Sequence, residues 1–313
     1  MLGATGTIGR ATVATLVERG HDTVCFSRAA SCPVPGAGVD WRRGDVTDPA
    51  SIANDGFRGE RFDALVSCMA SRTGVAEDAW AIDHRAHSLA LKAARAAGVR
   101  QMVLLSAICV QRPRLAFQHA KLAFEAELMA ADIAWSIVRP TAYFKSLSGQ
   151  VARVQAGKPF LVFGDGGLTA CKPISDSDLG RYLADCLDDP ARRNRVLPIG
   201  GPGPAITPLD QAEMLFDLLG RPPRIRHVPV ALLDGIAGVL GLAGRLSPRL
   251  AAKAELARIG RYYATESMLV WDEAACRYDA EATPEYGQDT LRAHYARLIA
   301  GEQTAELGEH AVF

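Results

Sequence analysis

The sequence predicts an α/β protein, a doubly wound parallel sheet followed by a smaller C-terminal lobe. Three observations carry this expectation. A glycine run at the start, Gly3-Ala4-Thr5-Gly6-Thr7-Ile8-Gly9, spaces its glycines by three and opens the helical stretch "RATVATLVERG". Short β-branched runs then alternate with longer helical patterns, the signature of parallel strands joined by crossover helices. Beyond Lys145 the alternation loosens. Residues 1–145 are therefore expected to form one domain and 146–313 a second lobe, with a strand near 195–199 returning to the sheet.

Taken in order, the first element is the loop. Glycine permits a tight turn and a close backbone approach to a pyrophosphate, whose charge then rests on the helix N-terminus. Gly3, Thr5, Gly6, Thr7, Ile8 and Gly9 are thus the expected dinucleotide loop of a Rossmann-type domain. Such a loop follows a buried strand of about five or six residues, and here Met1-Leu2 precede it. The first strand is expected to be cut short, with the natural chain beginning upstream. The next strand, "DTVCFSR" (22–28), ends at Ser27-Arg28, and no acid occurs from Phe26 to Cys32. A carboxylate there would hold the ribose of NAD, whereas arginine suits the 2′-phosphate of NADP, so NADPH is the expected cofactor. Asp45 and Val46, in "GDVTD", are candidates for its adenine end, an Asp-capped turn being the alternative.

Further strands are expected at "ALVSCMA" (64–70), "MVLLSAI" (102–108) and "AWSIVRP" (134–140), with helices at "AEDAWAIDHRAHSLALKAARAAGV" and "FQHAKLAFEAELMAADI" between them. In the second lobe, "KPFLVFGDGGLTACKPI" reads as a hairpin turning at Gly164-Asp165-Gly166-Gly167. Ser175 and Asp178 suggest an N-cap for "DSDLGRYLADCL", and Thr207-Pro208-Leu209-Asp210 starts another capped helix. The apolar "PVALLDGIAGVLGLAG" (229–244) is short of the roughly 20 residues a bilayer span needs and contains Asp234. A buried helix is expected there, with a membrane-surface segment or a lid over an apolar substrate as the alternative.

Bulk composition narrows the function classes. With 35 basic against 35 acidic side chains, the chain lacks the basic footprint of a nucleic-acid binder. Seven cysteines without a C-x-x-C pair suggest reduced thiols and a cytoplasmic setting. No H-x-x-H occurs, so no protein metal site is expected.

The chemistry concentrates around Lys121. A GxxGxxG loop, a strand ending in Ser106 and a helix carrying Lys121 resemble the short-chain dehydrogenase/reductase superfamily, whose pattern is Tyr-x-x-x-Lys with a serine. The resemblance implies that Lys121 binds the nicotinamide ribose. Phe117 stands where the superfamily has its proton-donating tyrosine, so the match is to an atypical member. Ketone reduction needs a nearby acid or oxyanion donor. A carbon–carbon double bond conjugated to a large π system spreads the charge instead, so Phe117 favours alkene reduction or a protein that binds NADPH without catalysis.

The blocks "SAICVQRP", "FQHAKLAFEAELM", "SIVRPTAYFKSLSGQV", "GKPFLVFGDG", "ACKPIS", "LPIGGPG", "IGRYYATESML" and "TPEYGQDTL" resemble the NADPH-dependent divinyl chlorophyllide a 8-vinyl reductases of chlorophyll and bacteriochlorophyll synthesis. The resemblance runs from the glycine loop to the terminal "ELGEHAVF". It implies hydride transfer from NADPH to the 8-vinyl group of a magnesium tetrapyrrole, the magnesium belonging to the substrate. Phe117 would pack near the nicotinamide, with Pro140 at the end of the adjoining strand. Ser106 would line the same cleft or make a strand-terminal hydrogen bond. Tyr143 is the candidate proton donor, a packed aromatic being the alternative. Arg139, Lys145 and Lys172 would steer the substrate propionate or serve as structural charges. Phe144, Tyr262 and Tyr263 would flank the macrocycle. The other reading is a non-catalytic NADPH-binding regulator. A nucleotide-sugar epimerase is disfavoured because that chemistry relies on the tyrosine. The greasy substrate leaves a peripheral contact with a photosynthetic membrane open.

Overall fold

The computed structural model describes residues 1–30, 38–244 and 247–303. Cys32 and the terminal "ELGEHAVF" lie outside them. In chain order the strands are β1 (Thr23–Ser27), β2 (Val39–Arg43), β3 (Ala64–Ser67), β4 (Gln101–Leu105), β5 (Ala134–Pro140), β6 (Phe160–Phe163), β7 (Arg195–Ile199), β8 (Ile225–Val228), β9 (Val270–Asp272) and β10 (Arg277–Asp279). The principal helices are α1 (Thr7–Glu18), α2 (His87–Ala96), α3 (Ala116–Met129), α4 (Asp176–Asp188), α5 (Pro208–Leu218), α6 (Val230–Ala243), α7 (Pro248–Thr265) and α8 (Leu291–Ala300). A π-helical stretch, Trp80–Ala86, runs directly into α2.

Two compact units emerge. The first comprises Met1–Ser71, Ala76–Pro140 and Asp176–Ile199, the second Arg72–Val75, Thr141–Ser175 and Gly200–Phe313. In the first unit β2 pairs with β1, and β3-β4-β5-β7 form a second run, all parallel. Leu2 stands between these runs, bridging Phe26 on one side and Ser67 on the other. The Leu2 amide donates to Val66 O at 2.9 Å, and Cys68 N donates to Leu2 O at 3.0 Å. Two residues thus occupy the place of the expected first strand.

β4 is buried at every position, as a parallel strand covered on both faces must be. Its Met102 and Leu104 pack in one core with Phe124, Leu128 and Ile137. Strand β2, "VDWRR", escaped the sequence reading because it looks like surface. Its Arg42 is in fact buried, pairing with Asp40 and Glu60 at 2.7 Å each and donating to Gly56 O. The expected 145/146 boundary puts α4 in the second lobe, whereas α4 belongs to the first unit and packs on α1. A Cβ on Gly180 would come within 2.8 Å of the Ala11 carbonyl carbon, so glycine there permits the close helix–helix approach.

The second unit departs from expectation twice. β6 does not fold back as a hairpin. It pairs in parallel with β8, and Gly164 (φ +62°) and Gly166 (φ +82°) turn the following chain away. Nor is the apolar segment 229–244 a buried helix. Ala237 is the buried residue of α6, while Leu232, Ile236, Val239 and Leu242 are all exposed. The reason is packing: α6 lies along α7 and turns its other flank outward.

Candidate active site

The glycine loop connects Leu2 to α1. Gly3 has φ +73°, and a Cβ there would lie 2.5 Å from the Cys68 carbonyl carbon, so only glycine lets the loop pass the end of β3. A Cβ on Gly9 would lie 2.0 Å from Gly3 O. Gly6, by contrast, has nothing nearer than Gly3 O at 3.6 Å, which leaves the loop's outer edge open. Gly6 is also the N-cap of α1, no side chain caps that helix, and its first turn carries no acid. An uncapped helix start with an open glycine edge fits a pyrophosphate. Thr5 is exposed and Thr7 half-buried at this edge, whereas the Ile8 side chain belongs to the core.

The tips of β1 and β2 come next. Arg28 is exposed just past β1, and Ser27 Oγ accepts from Ala29 N at 3.2 Å. Asp45 accepts from Thr47 N at 2.9 Å and Thr47 Oγ1 at 2.8 Å. These hydrogen bonds hold its carboxyl below the usual range, with a smaller contribution from the Arg28 charge. Asp45 therefore forms a capped turn and sits within the field of Arg28. The Val46 side chain is spent on the core.

Helix α3 supplies the next part. Fully buried Gln118 accepts from Arg114 N and Leu115 N through Oε1 and donates to Cys109 O through Nε2, which fixes where α3 begins. Phe117, Lys121 and Glu125 then follow at four-residue spacing on one side of the helix. Lys121 Nζ lies 3.0 Å from Asp83 Oδ1, with the Asp83 side chain 0% and the Lys121 side chain 11% exposed. Asp83 comes from the π-helical stretch and also accepts from Ser71 Oγ at 2.6 Å. π-Wound turns recur where a side chain must be re-aimed, and this one brings Asp83 and His87 inward together. His87 lies 2.9 Å from Ser67 Oγ, and its Nδ1 is 3.0 Å from Ile82 O. Burial, reinforced by the Lys121 charge, pushes its pKa down to about 4, so near pH 7 its imidazole is neutral and keeps one N–H for its hydrogen bonds rather than acting as an imidazolium acid.

At the end of β4, Ser106 Oγ donates to Glu125, whose carboxylate also accepts from Arg139 Nη2 and, at 3.3 Å, from Arg139 Nε. The Glu125 side chain is fully buried. Arg139 is thus paired with Glu125, the structural-charge alternative to steering a propionate. A buried carboxylate needs a cation, and Arg139 supplies one. The Ser106 hydroxyl makes the hydrogen bond that was the alternative to lining a cleft. Gly3, Ser27, Ser106 and Pro140 all lie at or just past the carboxyl ends of parallel strands, where ligand sites of open α/β sheets form.

The second unit holds the remaining candidates. Tyr143 is half-buried and starts the helical turn Phe144–Leu147, which includes Lys145. Phe144 does not line a surface: it is buried with Val151, Val154, Phe160 and Leu215, its ring 5.3 Å from that of His294. Lys172 is buried too, 2.5 Å from Glu285 Oε1, so it balances that acid rather than greeting a substrate. On α7, Tyr262 is buried and Tyr263 exposed, their rings edge to face at 5.7 Å.

Residues 3–190 match a family model described as NAD(P)H-binding. The chloroplastic divinyl chlorophyllide a 8-vinyl-reductase of Oryza sativa subsp. indica is 46% identical over 99% of this chain and 81% of its own length. Its namesake in Arabidopsis thaliana is also 46% identical, over 99% of this chain and 78% of its own length. The chain belongs to the divinyl chlorophyllide a 8-vinyl-reductase family. Among solved structures, the NADPH-dependent quinone oxidoreductase QOR2 of Escherichia coli, complexed with NADPH, aligns with a TM-score of 0.66 at 18% identity, covering 95% of this chain and 98% of that one. At that identity the likeness concerns the Rossmann-type fold.

In this member of the reductase family, Asp83 and Glu125 are the site residues that sequence reasoning missed. Glu125 carried a signal, since an acid four residues after Lys121 on the same stripe is placed to be buried. Asp83 carried none, because its reach to Lys121 depends on the π-wound turn.

Proposed function

We propose that this chain reduces the 8-vinyl group of a divinyl chlorophyllide to an ethyl group, with NADPH as the hydride donor. The observation that supports this best is the 46% identity to plant 8-vinyl reductases through nearly the whole chain, which favours it over a non-catalytic NADPH-binding regulator. The site residues take the following roles in this reading. The loop Gly3–Gly9, with Thr5 and Thr7 at its edge, receives the pyrophosphate. Arg28 with Ser27 receives the 2′-phosphate, and the turn at Asp45-Val46 borders the adenine. Lys121 holds the nicotinamide ribose, and Asp83 holds Lys121 in place. When bound, the cofactor supplies a hydride. Phe117 contributes an apolar wall that cannot ionise, so the substrate macrocycle spreads the charge left by that hydride. Tyr143, three residues past β5, gives the proton that completes the ethyl group. The second unit, with Lys145, Tyr262 and Tyr263, serves the pigment.

Three results test the reading. Arg28→Ala is expected to weaken NADPH binding roughly 10- to 100-fold, the worth of charged hydrogen bonds, and to leave NADH binding unchanged. Equal losses for both cofactors would remove Arg28 from phosphate recognition. Incubation of the full chain with NADPH and divinyl chlorophyllide is expected to shift the pigment's absorption to that of the 8-ethyl product. Tyr143→Phe should slow this about 10²- to 10⁴-fold, as loss of a general acid does. Full turnover with unchanged pH dependence would exclude Tyr143, and NADPH binding without any absorption shift would favour the regulator.

Among the described residues no helix is long and apolar enough to cross a membrane. A protein that meets a pigment-bearing membrane from its aqueous side, without spanning it, accords with this reading.

A further inference from the structure

The exposed flank of α6 is the feature that the reductase chemistry does not use. Leu232, Ile236, Val239 and Leu242 follow at steps of four, three and three, which places them along one side of the helix. They are 54%, 41%, 71% and 67% exposed. No comparable run of large exposed aliphatics occurs elsewhere among the described residues. From the geometry and charge of this region, we infer that α6 docks this face into the headgroup layer of an anionic lipid membrane.

Charge decides the occupant. Arg226 is exposed, and the strand β8 that carries it runs into α6 through Pro229. Lys253 is exposed on the partner helix α7. Two acids are described in the same stretch, and each is matched: Asp234 by Arg261 and Glu255 by Arg258. Arg226 and Lys253 are therefore two cations that no acid matches among the described residues, in a chain whose formal charge is zero. An apolar helical face with cations on the adjoining strand and helix is the pattern of helices that lie in the plane of a membrane surface and are drawn there by anionic lipids. A second copy of the chain suits the face less well, because a twofold contact would set the same cations against each other. α6 has 14 residues, enough to lie in the interface and too few to cross it. This inference deepens the peripheral contact proposed above and stands apart from the reduction chemistry.

The test is co-sedimentation of the full chain with vesicles of phosphatidylcholine, alone or mixed with phosphatidylglycerol. Binding is expected on the mixed vesicles and should weaken as salt rises. Val239→Asp combined with Leu242→Asp should bind at least about tenfold more weakly. Arg226→Glu, which leaves the apolar face intact, should bind at least about fivefold more weakly. All variants should reduce pigment in vesicle-free solution at the unaltered rate. Wild-type protein that stays in the supernatant with both vesicles overturns the inference, as do variants that pellet as well as wild type. A gel-filtration dimer that Val239→Asp splits, without vesicle binding, assigns the face to a second copy and also overturns it. Vesicle binding by a chain that leaves the pigment unreduced would sink the reductase reading alone.

Discussion

Lys121→Met is expected to abolish turnover, weaken NADPH binding about 100-fold, and lower the unfolding free energy by about 3–5 kcal/mol. The binding loss follows from removing charged hydrogen bonds worth about 1.5–3 kcal/mol each. The stability loss has a different source: the Asp83 side chain is wholly buried, and without the ammonium 3.0 Å away it is an uncompensated charge. Asp83→Asn alone should cost less, about 1–3 kcal/mol, because the stranded Lys121 is partly exposed and Asn still accepts from Ser71. The combination Asp83→Asn with Lys121→Met should regain most of the stability and none of the activity. Urea unfolding and NADPH titration of the three variants measure both quantities. If the double variant is as unstable as Lys121→Met alone, the ion pair is not what Lys121 contributes to folding. If Asp83→Asn leaves kcat and cofactor binding untouched, Asp83 does not position the lysine.

Arg139→Leu is expected to destabilise the protein by about 3–5 kcal/mol, because Glu125 is fully buried and Arg139 is its cation. Arg139→Lys should recover only part of this, since an ammonium cannot reproduce the Nε and Nη2 contacts of the guanidinium. Ser106 donates to the same carboxylate, so its hydroxyl should lose its fixed orientation in either variant. Had Arg139 served to steer a propionate, its loss would raise KM and leave stability intact. Thermal unfolding beside steady-state kinetics separates the two outcomes.

These two pairs mark where the sequence stopped being legible. The strands at 23–27, 64–67, 101–105 and 134–140 were readable because each is a short run rich in apolar and β-branched residues, buried throughout at 101–105. Strand β2 was not, since its Arg42 is neutralised by Glu60, 18 positions along the chain, as well as by Asp40 beside it. Lys121 and Phe117 were readable from their four-residue spacing, a property of a single helix. Asp83 is 38 positions from Lys121, and no local rule joins them. The second unit shows the same limit: β6 found its partner in β8 rather than in the next residues, and Lys172 found Glu285.

By itself, the sequence determined the α/β alternation, the glycine loop and the helix that places a ring without a hydroxyl ahead of a lysine. Turn chemistry and helical periodicity act over a few residues, and the chain order records them directly. Only the tertiary structure decided which charges are buried against which, that Arg139 and Lys172 balance acids instead of meeting a ligand, and that the most apolar helix faces outward. Burial depends on what packs on what, and a side chain's partner in space leaves no mark beside it in the chain.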